Sequence, residues 1–144
     1  MLTWCFIGFL FTFMNPIEIY EENCIPKIIH QGYSLEDPRQ KYVQYAYNLG
    51  WIDFVTLLEC ENWRWDQNRV SKTNDHWLCQ LHYKYNKKFI DSEDFKDPYK
   101  QLDYCYEKYK INPKLWYWPN RIIKGQKCSN YVLNRFNIYH GRKN

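Results

Sequence analysis

Apolar residues recur at helical spacing after an Asp-Pro pair at position 37. Asp37 is suited to cap a helix N-terminus, and Pro38 fits the first turn, where its missing amide hydrogen would have no partner. The pattern predicts a helix over residues 38–48 that Gly50 ends. A second helix is predicted over residues 51–62. Its apolar stripe and the edge of that stripe consist of Phe54, Val55, Leu58 and Glu61.

A second Asp-Pro pair, Asp97-Pro98, predicts the start of a further helix. The apolar face of that helix comprises Tyr99, Leu102, Cys105, Tyr106 and Tyr109. Residues 63–75 are polar and rich in turn formers, which predicts a long loop or a small β-hairpin, and residues 77–85 predict a short helix or turn. Residues 115–139 predict one or two final helices. The fold class is therefore predicted as α+β, predominantly helical with a small β-hairpin region.

The chain of 144 residues is long enough for one compact domain. Residues 1–14 are nearly all apolar; they are too short to cross a bilayer, which takes roughly twenty residues, but suffice for the apolar part of a signal peptide. We predict a signal peptide or an N-terminal anchor that attaches the protein to the membrane; the alternative is a buried first helix that Asn15-Pro16 ends. Residues 15–37 are predicted as an extended lead-in, and residues 38–144 as the functional domain.

Composition and charge narrow the classes of partner. Hydrophobic residues make up 45% of the chain and aromatic residues 20%, so a core can form and disorder is disfavoured. The net charge of +4 is mild and suits an anionic polymer. Because the 20 Lys and Arg residues are scattered rather than clustered, no nucleic-acid partner is predicted.

Two glutamates stand at the end of the helix predicted over residues 51–62. Glu59 and Glu61 each fall at an edge of its apolar stripe. A carboxyl group that is partly buried beside a cleft has its pKa raised towards neutrality, which suits it to act as a general acid. Helical periodicity does not choose between the two residues, and a solvated glutamate at a helix end is the alternative for either.

Several short segments, in this order, resemble the lysozyme-like lytic transglycosylase (SLT-type) family. ENWRWD at residues 61–66 resembles the segment E-[SN]-x-[FW] that begins with the family's catalytic Glu. VS at residues 70–71 stands where the family has A-V-S, and LCQL at residues 78–81 where it has G-L-x-Q-[IL]. DPYKQL at residues 97–102 resembles D-P-x-x-Q-[IL], and WYWPN at residues 116–120 resembles an aromatic Y-x-x-N segment.

This resemblance implies an exported enzyme that cleaves the MurNAc-β-1,4-GlcNAc bond of peptidoglycan and leaves 1,6-anhydro-muramyl ends. It selects Glu61 over Glu59 as the single acid/base catalyst. It also implies a lysozyme-like fold, no cofactor, no metal and a monomer. The implied substrate-binding residues are Ser71, Gln80, Tyr117 and Asn120. The alternatives are loop hydrogen bonding for Ser71 and Gln80, and core packing for Tyr117.

Two other functions fit the same fold. A hydrolysing lysozyme would use water as the nucleophile and a second carboxylate, for which Asp66 and Asp75 are the candidates. Both aspartates also suit the capping of turns in a polar loop. The other alternative is a non-catalytic relative that binds glycan strands.

The six cysteines agree with export, because an oxidising compartment would convert some of them to disulfides. We predict that Cys79 pairs with Cys105, which ties the LCQL segment to the helix after Asp97. Cys24 is paired with Cys128 in this prediction, which leaves Cys60 buried and free, although sequence alone cannot fix connectivity. Cys79-x-x-His82 has a zinc-like spacing, but no matching second pair exists.

Trp63, Trp77 and Trp118 stand at or near positions where the family that these segments resemble has glycine, and Trp51, which follows Gly50, is the candidate for a fourth such position. Glycine at such sites provides a positive φ or a close approach that an indole cannot imitate cheaply. Composition points the same way, with 5 glycines and 7 tryptophans in the chain. One hypothesis is that the gene uses UGA for glycine and has been translated with UGA as tryptophan. The alternative is a genuine aromatic-rich sugar cleft.

Overall fold

The computed structural model describes residues 26–113 and 121–139. Residues 28–137 belong to one compact unit, and residues 1–27 with 138–144 to a second, of which only positions 26, 27, 138 and 139 are described. Helices and short strands alternate along the described chain. The fold class is therefore α+β, as predicted.

The first helix, α1 (Pro38–Glu61), carries the candidate glutamates at its C-terminal end. Asp37 caps it by accepting a hydrogen bond from the Arg39 amide at 2.9 Å. Helical geometry is interrupted at Gly50 (φ −137°) and Trp51 (φ 56°, ψ −159°), where the helix kinks. The two straight parts on either side of the kink correspond to the two helices that the sequence predicted.

Two more helices follow the polar loop, namely α2 (Tyr83–Ile90) and α3 (Pro98–Ile111), with a 3₁₀ turn (Glu93–Lys96) between them. Asp97 caps α3 by accepting a hydrogen bond from the Tyr99 amide at 2.8 Å. Leu102 and Cys105 are buried on the predicted face of α3, which packs against α1. This helix is confirmed.

The strands form three two-stranded sheets. Strand β1 (Lys27–His30) pairs with β6 (Phe136–Tyr139). Antiparallel hairpins join β2 (Asp75–His76) to β3 (Leu81–His82) and β4 (Ile122–Ile123) to β5 (Gln126–Lys127). A short helix, α4 (Cys128–Leu133), lies between β5 and β6 and packs against α1.

The chain near its two ends differs from the prediction. Among the described residues after position 120, α4 is the one helix, and strands occupy the positions where a second helix was expected. Lys124 and Gly125 have φ values of 49° and 80°, and positive φ at both turn residues favours a tight hairpin.

The predicted lead-in also differs from the prediction, because Ile28 and His30 point inward in β1 and are buried. Ile28 to Asp37 therefore belongs to the same compact unit as the helices.

Two disulfides join separate segments of the described chain: one connects α1 to α4, and the other connects the turn between β2 and β3 to α3. Cys79 pairs with Cys105, as predicted. The predicted pairing of Cys128 with Cys24, with Cys60 free, is wrong, because Cys128 pairs with Cys60. Their Cα atoms lie 6.1 Å apart where α4 packs on the end of α1, a separation that a disulfide spans readily. Two disulfides point to an oxidising, extracytoplasmic environment.

None of the described helices has the length and apolar character needed to cross a membrane. The apolar segment of residues 1–14, which the sequence predicts to be a leader, lies outside the described residues.

The kink in α1 brings Gly50 so close to α3 that a side chain there would collide. A β-carbon on Gly50 would lie 2.8 Å from Cε2 of Tyr106 and 2.5 Å from Cβ of Phe54. We expect Gly50→Ala to lower the free energy of unfolding by about 2–3 kcal/mol through overpacking, as measured by urea denaturation.

Gly125→Ala is the matched control, because nothing lies within 4 Å of a β-carbon at Gly125 and only its positive φ of 80° opposes alanine. The control should cost about 1 kcal/mol. Equal losses for the two variants would contradict the close approach at Gly50.

Candidate functional site

The last turn of α1 is fixed by Asn62, which follows Glu61 and is fully buried. The Asn62 backbone amide donates to the Leu58 carbonyl at 2.8 Å, which closes the helix. Its side-chain Nδ2 donates to the carbonyls of Asp66 at 2.9 Å and Trp77 at 3.2 Å. The side chain of Asn62, the residue that follows Glu61, thus holds the backbone near the start of the polar loop and just beyond its end.

Glu59 lies inside the protein, with a side chain that is 0% exposed. Its Oε2 accepts a hydrogen bond from Trp65 Nε1 at 2.5 Å, and its Oε1 accepts from Arg135 Nη1 at 2.7 Å. His30 Nε2 lies 3.3 Å from the same Oε1. A buried carboxylate is tolerated when cationic and hydrogen-bonding groups surround it in this way.

The tautomer of His30 follows from its other ring nitrogen. His30 Nδ1 accepts a hydrogen bond from the Gly32 amide at 2.9 Å, so the neutral ring carries its proton on Nε2. That proton points to the Glu59 carboxylate. The His30 ring also stacks on the Tyr33 ring, with 4.0 Å between the two ring centroids. The guanidinium carbon of Arg39 lies 4.1 Å from the centroid of the same Tyr33 ring.

Glu61, in contrast, is half-buried. Residues two positions apart on a helix point about 200° away from each other. The face that buries Glu59 is therefore not the face that carries Glu61. Periodicity left the choice between the two residues open, and the structure buries Glu59 while it leaves Glu61 partly exposed to solvent.

Ser71 and Asp75 are joined within the loop that precedes β2. Ser71 Oγ donates to Asp75 Oδ2 at 2.9 Å and accepts from the Asp75 amide at 3.0 Å. The Thr73 hydroxyl also bonds to Asp75 Oδ2. These contacts match the alternative interpretation of Ser71, in which it holds the loop in shape.

Gln80 is half-buried in the turn between β2 and β3, with a φ of 50°. Its Nε2 donates to the Trp77 carbonyl at 2.7 Å, so the amide is engaged within its own turn. Tyr117 and Asn120, the other two predicted substrate-binding residues, lie outside the described residues, as does Trp118.

An open pocket of about 310 Å³ lies between the start of α1 and the polar loop. Arg39, Tyr42, Trp65 and Gln67 are among its lining residues, and Glu61 is not. This pocket therefore gives no support to the assignment of Glu61 as the catalyst.

The contacts of Glu59 were not predicted from the sequence. One weak signal was present, because the β-branched pair Ile28-Ile29 favours a strand, and in a strand His30 lies on the same face as Ile28. Arg135 carried no comparable signal, since its contact with Glu59 joins residues that are 76 positions apart.

Comparison with known proteins gives no relative, since no family model, no curated protein and no solved structure matches the chain.

Removal of the buried carboxylate should destabilise the protein. Glu59→Ala leaves the indole N–H of Trp65 without its acceptor and the Arg135 guanidinium without its partner. We expect a loss of about 3 kcal/mol in the free energy of unfolding, as measured by denaturant titration. The exposed Glu36 provides the control, and Glu36→Ala should change stability by less than about 0.5 kcal/mol. A Glu59→Ala protein as stable as this control would show that the cluster is unimportant.

Stability should also fall in alkali. Burial, followed by the negative charge of Glu59, raises the pKa of Tyr33 to about 12, whereas an unfolded tyrosine has a pKa of 10.0. A group that holds its proton more tightly when folded stabilises the fold below its unfolded pKa, and this contribution is lost as the pH rises through its folded pKa. The free energy of unfolding should therefore decrease between about pH 10 and pH 12.

Tyr33→Phe should flatten this decrease without abolishing it, because a hydrogen bond to Asp103 raises the pKa of Tyr45 to about 12 as well. Chemical denaturation over that pH range measures the effect. Identical pH profiles for the wild type and Tyr33→Phe would contradict the role of Tyr33.

Proposed function

We propose that this protein is an exported lytic transglycosylase with a lysozyme-like fold that cleaves the MurNAc-β-1,4-GlcNAc bond of peptidoglycan. The observation that carries the proposal is the contrast between the two glutamates. The side chain of Glu59 is completely buried, whereas Glu61 stands half-buried at the end of the same helix. The resemblance in sequence independently selects Glu61.

In the proposed reaction, the Glu61 carboxyl group first donates its proton to the glycosidic oxygen, and the bond from that oxygen to the anomeric carbon breaks. The resulting carboxylate then accepts a proton from the C6 hydroxyl of the same muramic acid residue. The C6 oxygen bonds to the anomeric carbon and closes the 1,6-anhydro ring. Glu61 recovers its proton and no water is consumed.

The rigidity of the helix end supports this role. Asn62 fixes the backbone directly after Glu61, and the Cys60–Cys128 disulfide fixes it directly before. A catalytic acid works best when its neighbours hold it in one geometry relative to the bond being broken.

The state of the two other carboxylates favours a single-carboxylate mechanism over a hydrolysing lysozyme. Asp75 is occupied by Ser71 and Thr73, and Asp66 Oδ1 accepts a hydrogen bond from the Asn68 amide at 2.8 Å. Both aspartates thus have structural partners in the loop, as turn-capping residues do. A transglycosylase does not require either of them.

The two disulfides fit an enzyme that works outside the cytoplasm, where peptidoglycan is found. The net charge of +4 suits an anionic wall polymer. Peptidoglycan strands are the proposed partner, and the protein is proposed to act as a monomer.

The proposal is tested by incubating the purified protein with peptidoglycan and weighing the released fragments by mass spectrometry. The wild type should release fragments with anhydro-muramyl ends. Glu61→Gln should reduce their rate of release by about 10²–10⁴-fold, because an amide cannot supply the proton. Glu36→Gln is the control and should release fragments at the wild-type rate.

Each other outcome has a definite meaning. Fragments with reducing ends would identify a hydrolysing lysozyme on the same fold. If the folded wild type binds the strands without cutting them, the protein is a glycan-binding relative. Full activity in Glu61→Gln would remove Glu61 from the mechanism.

A further inference from the structure

The backbone at Trp51 adopts a conformation that is essentially restricted to glycine. Its φ of 56° is combined with a ψ of −159°, whereas residues with a β-carbon tolerate a positive φ only near a ψ of about +30° to +60°. The indole is 62% exposed, and its edge meets the Tyr47 ring with 5.6 Å between centroids. A side chain that is mostly in solvent offers little burial to offset this strain.

Trp77 combines a positive φ with main-chain contacts that any residue could make. Its φ is 68°, in the region that favours glycine because an L side chain is crowded there by its own backbone. The contacts that Trp77 makes with Asn62 and Gln80 use its backbone carbonyl, so they do not depend on the side chain. A glycine at this position would keep both hydrogen bonds and adopt the positive φ without strain.

Positive φ alone does not identify a glycine position. Trp65 has a φ of 50° but is only 1% exposed, and its indole N–H donates to the buried Glu59 carboxylate. The side chain at this position is therefore required. Asn74 and Gln80 also have positive φ values, of 62° and 50°, and asparagine tolerates this backbone better than most residues.

We infer that positions 51 and 77 are glycine in the protein that the cell makes, and that tryptophan stands there because UGA codons for glycine were read as tryptophan. Position 65 is genuine tryptophan. Trp63 is not among the residues with positive φ, so the inference does not extend to it. This conclusion rests on backbone geometry and side-chain contacts, and it holds whether or not Glu61 is catalytic.

The direct test is the gene together with the native protein. Codons 51 and 77 should be UGA, and codon 65 should be UGG. Mass spectrometry of native peptides that cover the three positions should find glycine at 51 and 77 and tryptophan at 65. UGG codons, or native peptides with tryptophan at positions 51 and 77, would overturn the inference.

Recombinant variants provide a second, independent measurement. Trp51→Gly and Trp77→Gly should each raise the Tm by about 2–6 °C, because each removes a strained backbone. Trp63→Gly is the matched control with an exposed indole and no positive φ, and it should not raise the Tm. Trp65→Gly should lower the Tm or prevent folding. A fall in Tm for both Trp51→Gly and Trp77→Gly would contradict the inference.

Discussion

The buried carboxylate of Glu59 is the constraint on which the end of α1 depends. Its two oxygens meet the indole of Trp65, the guanidinium of Arg135 and the imidazole of His30. These three partners come from the polar loop, from the chain after α4 and from β1. A carboxylate in the interior is costly unless all of its partners are present. The three segments are therefore held around one side chain.

This arrangement places successive residues of one helical turn in different roles. Glu59 faces the interior, Cys60 is covalently linked to α4, and Asn62 holds the polar loop. Glu61 lies among these fixed points and is half-buried. Preorganisation of this kind fits the role of catalytic acid that we propose for Glu61, because a misplaced proton donor loses most of its effect.

Features that depend on neighbouring residues could be predicted from the sequence. The caps at Asp37 and Asp97, the break at Gly50 and the buried face of α3 follow from local chemistry. The burial of Glu59 could not be predicted, because an edge position on an amphipathic helix is compatible with either burial or exposure. The pairing of Cys60 with Cys128 was missed for a related reason, since it depends on how α4 packs against α1.

The link between Cys60 and Cys128 has a consequence for the order of assembly. These residues are 68 positions apart, and the Arg135–Glu59 ion pair spans 76. Contacts between distant parts of a chain form late, because a large loop must close first. The turn that carries Glu61 therefore remains incomplete while the chain is being synthesised. A protein built in this way acquires its finished helix end only after almost all of the described chain is available to fold and its thiols have been oxidised.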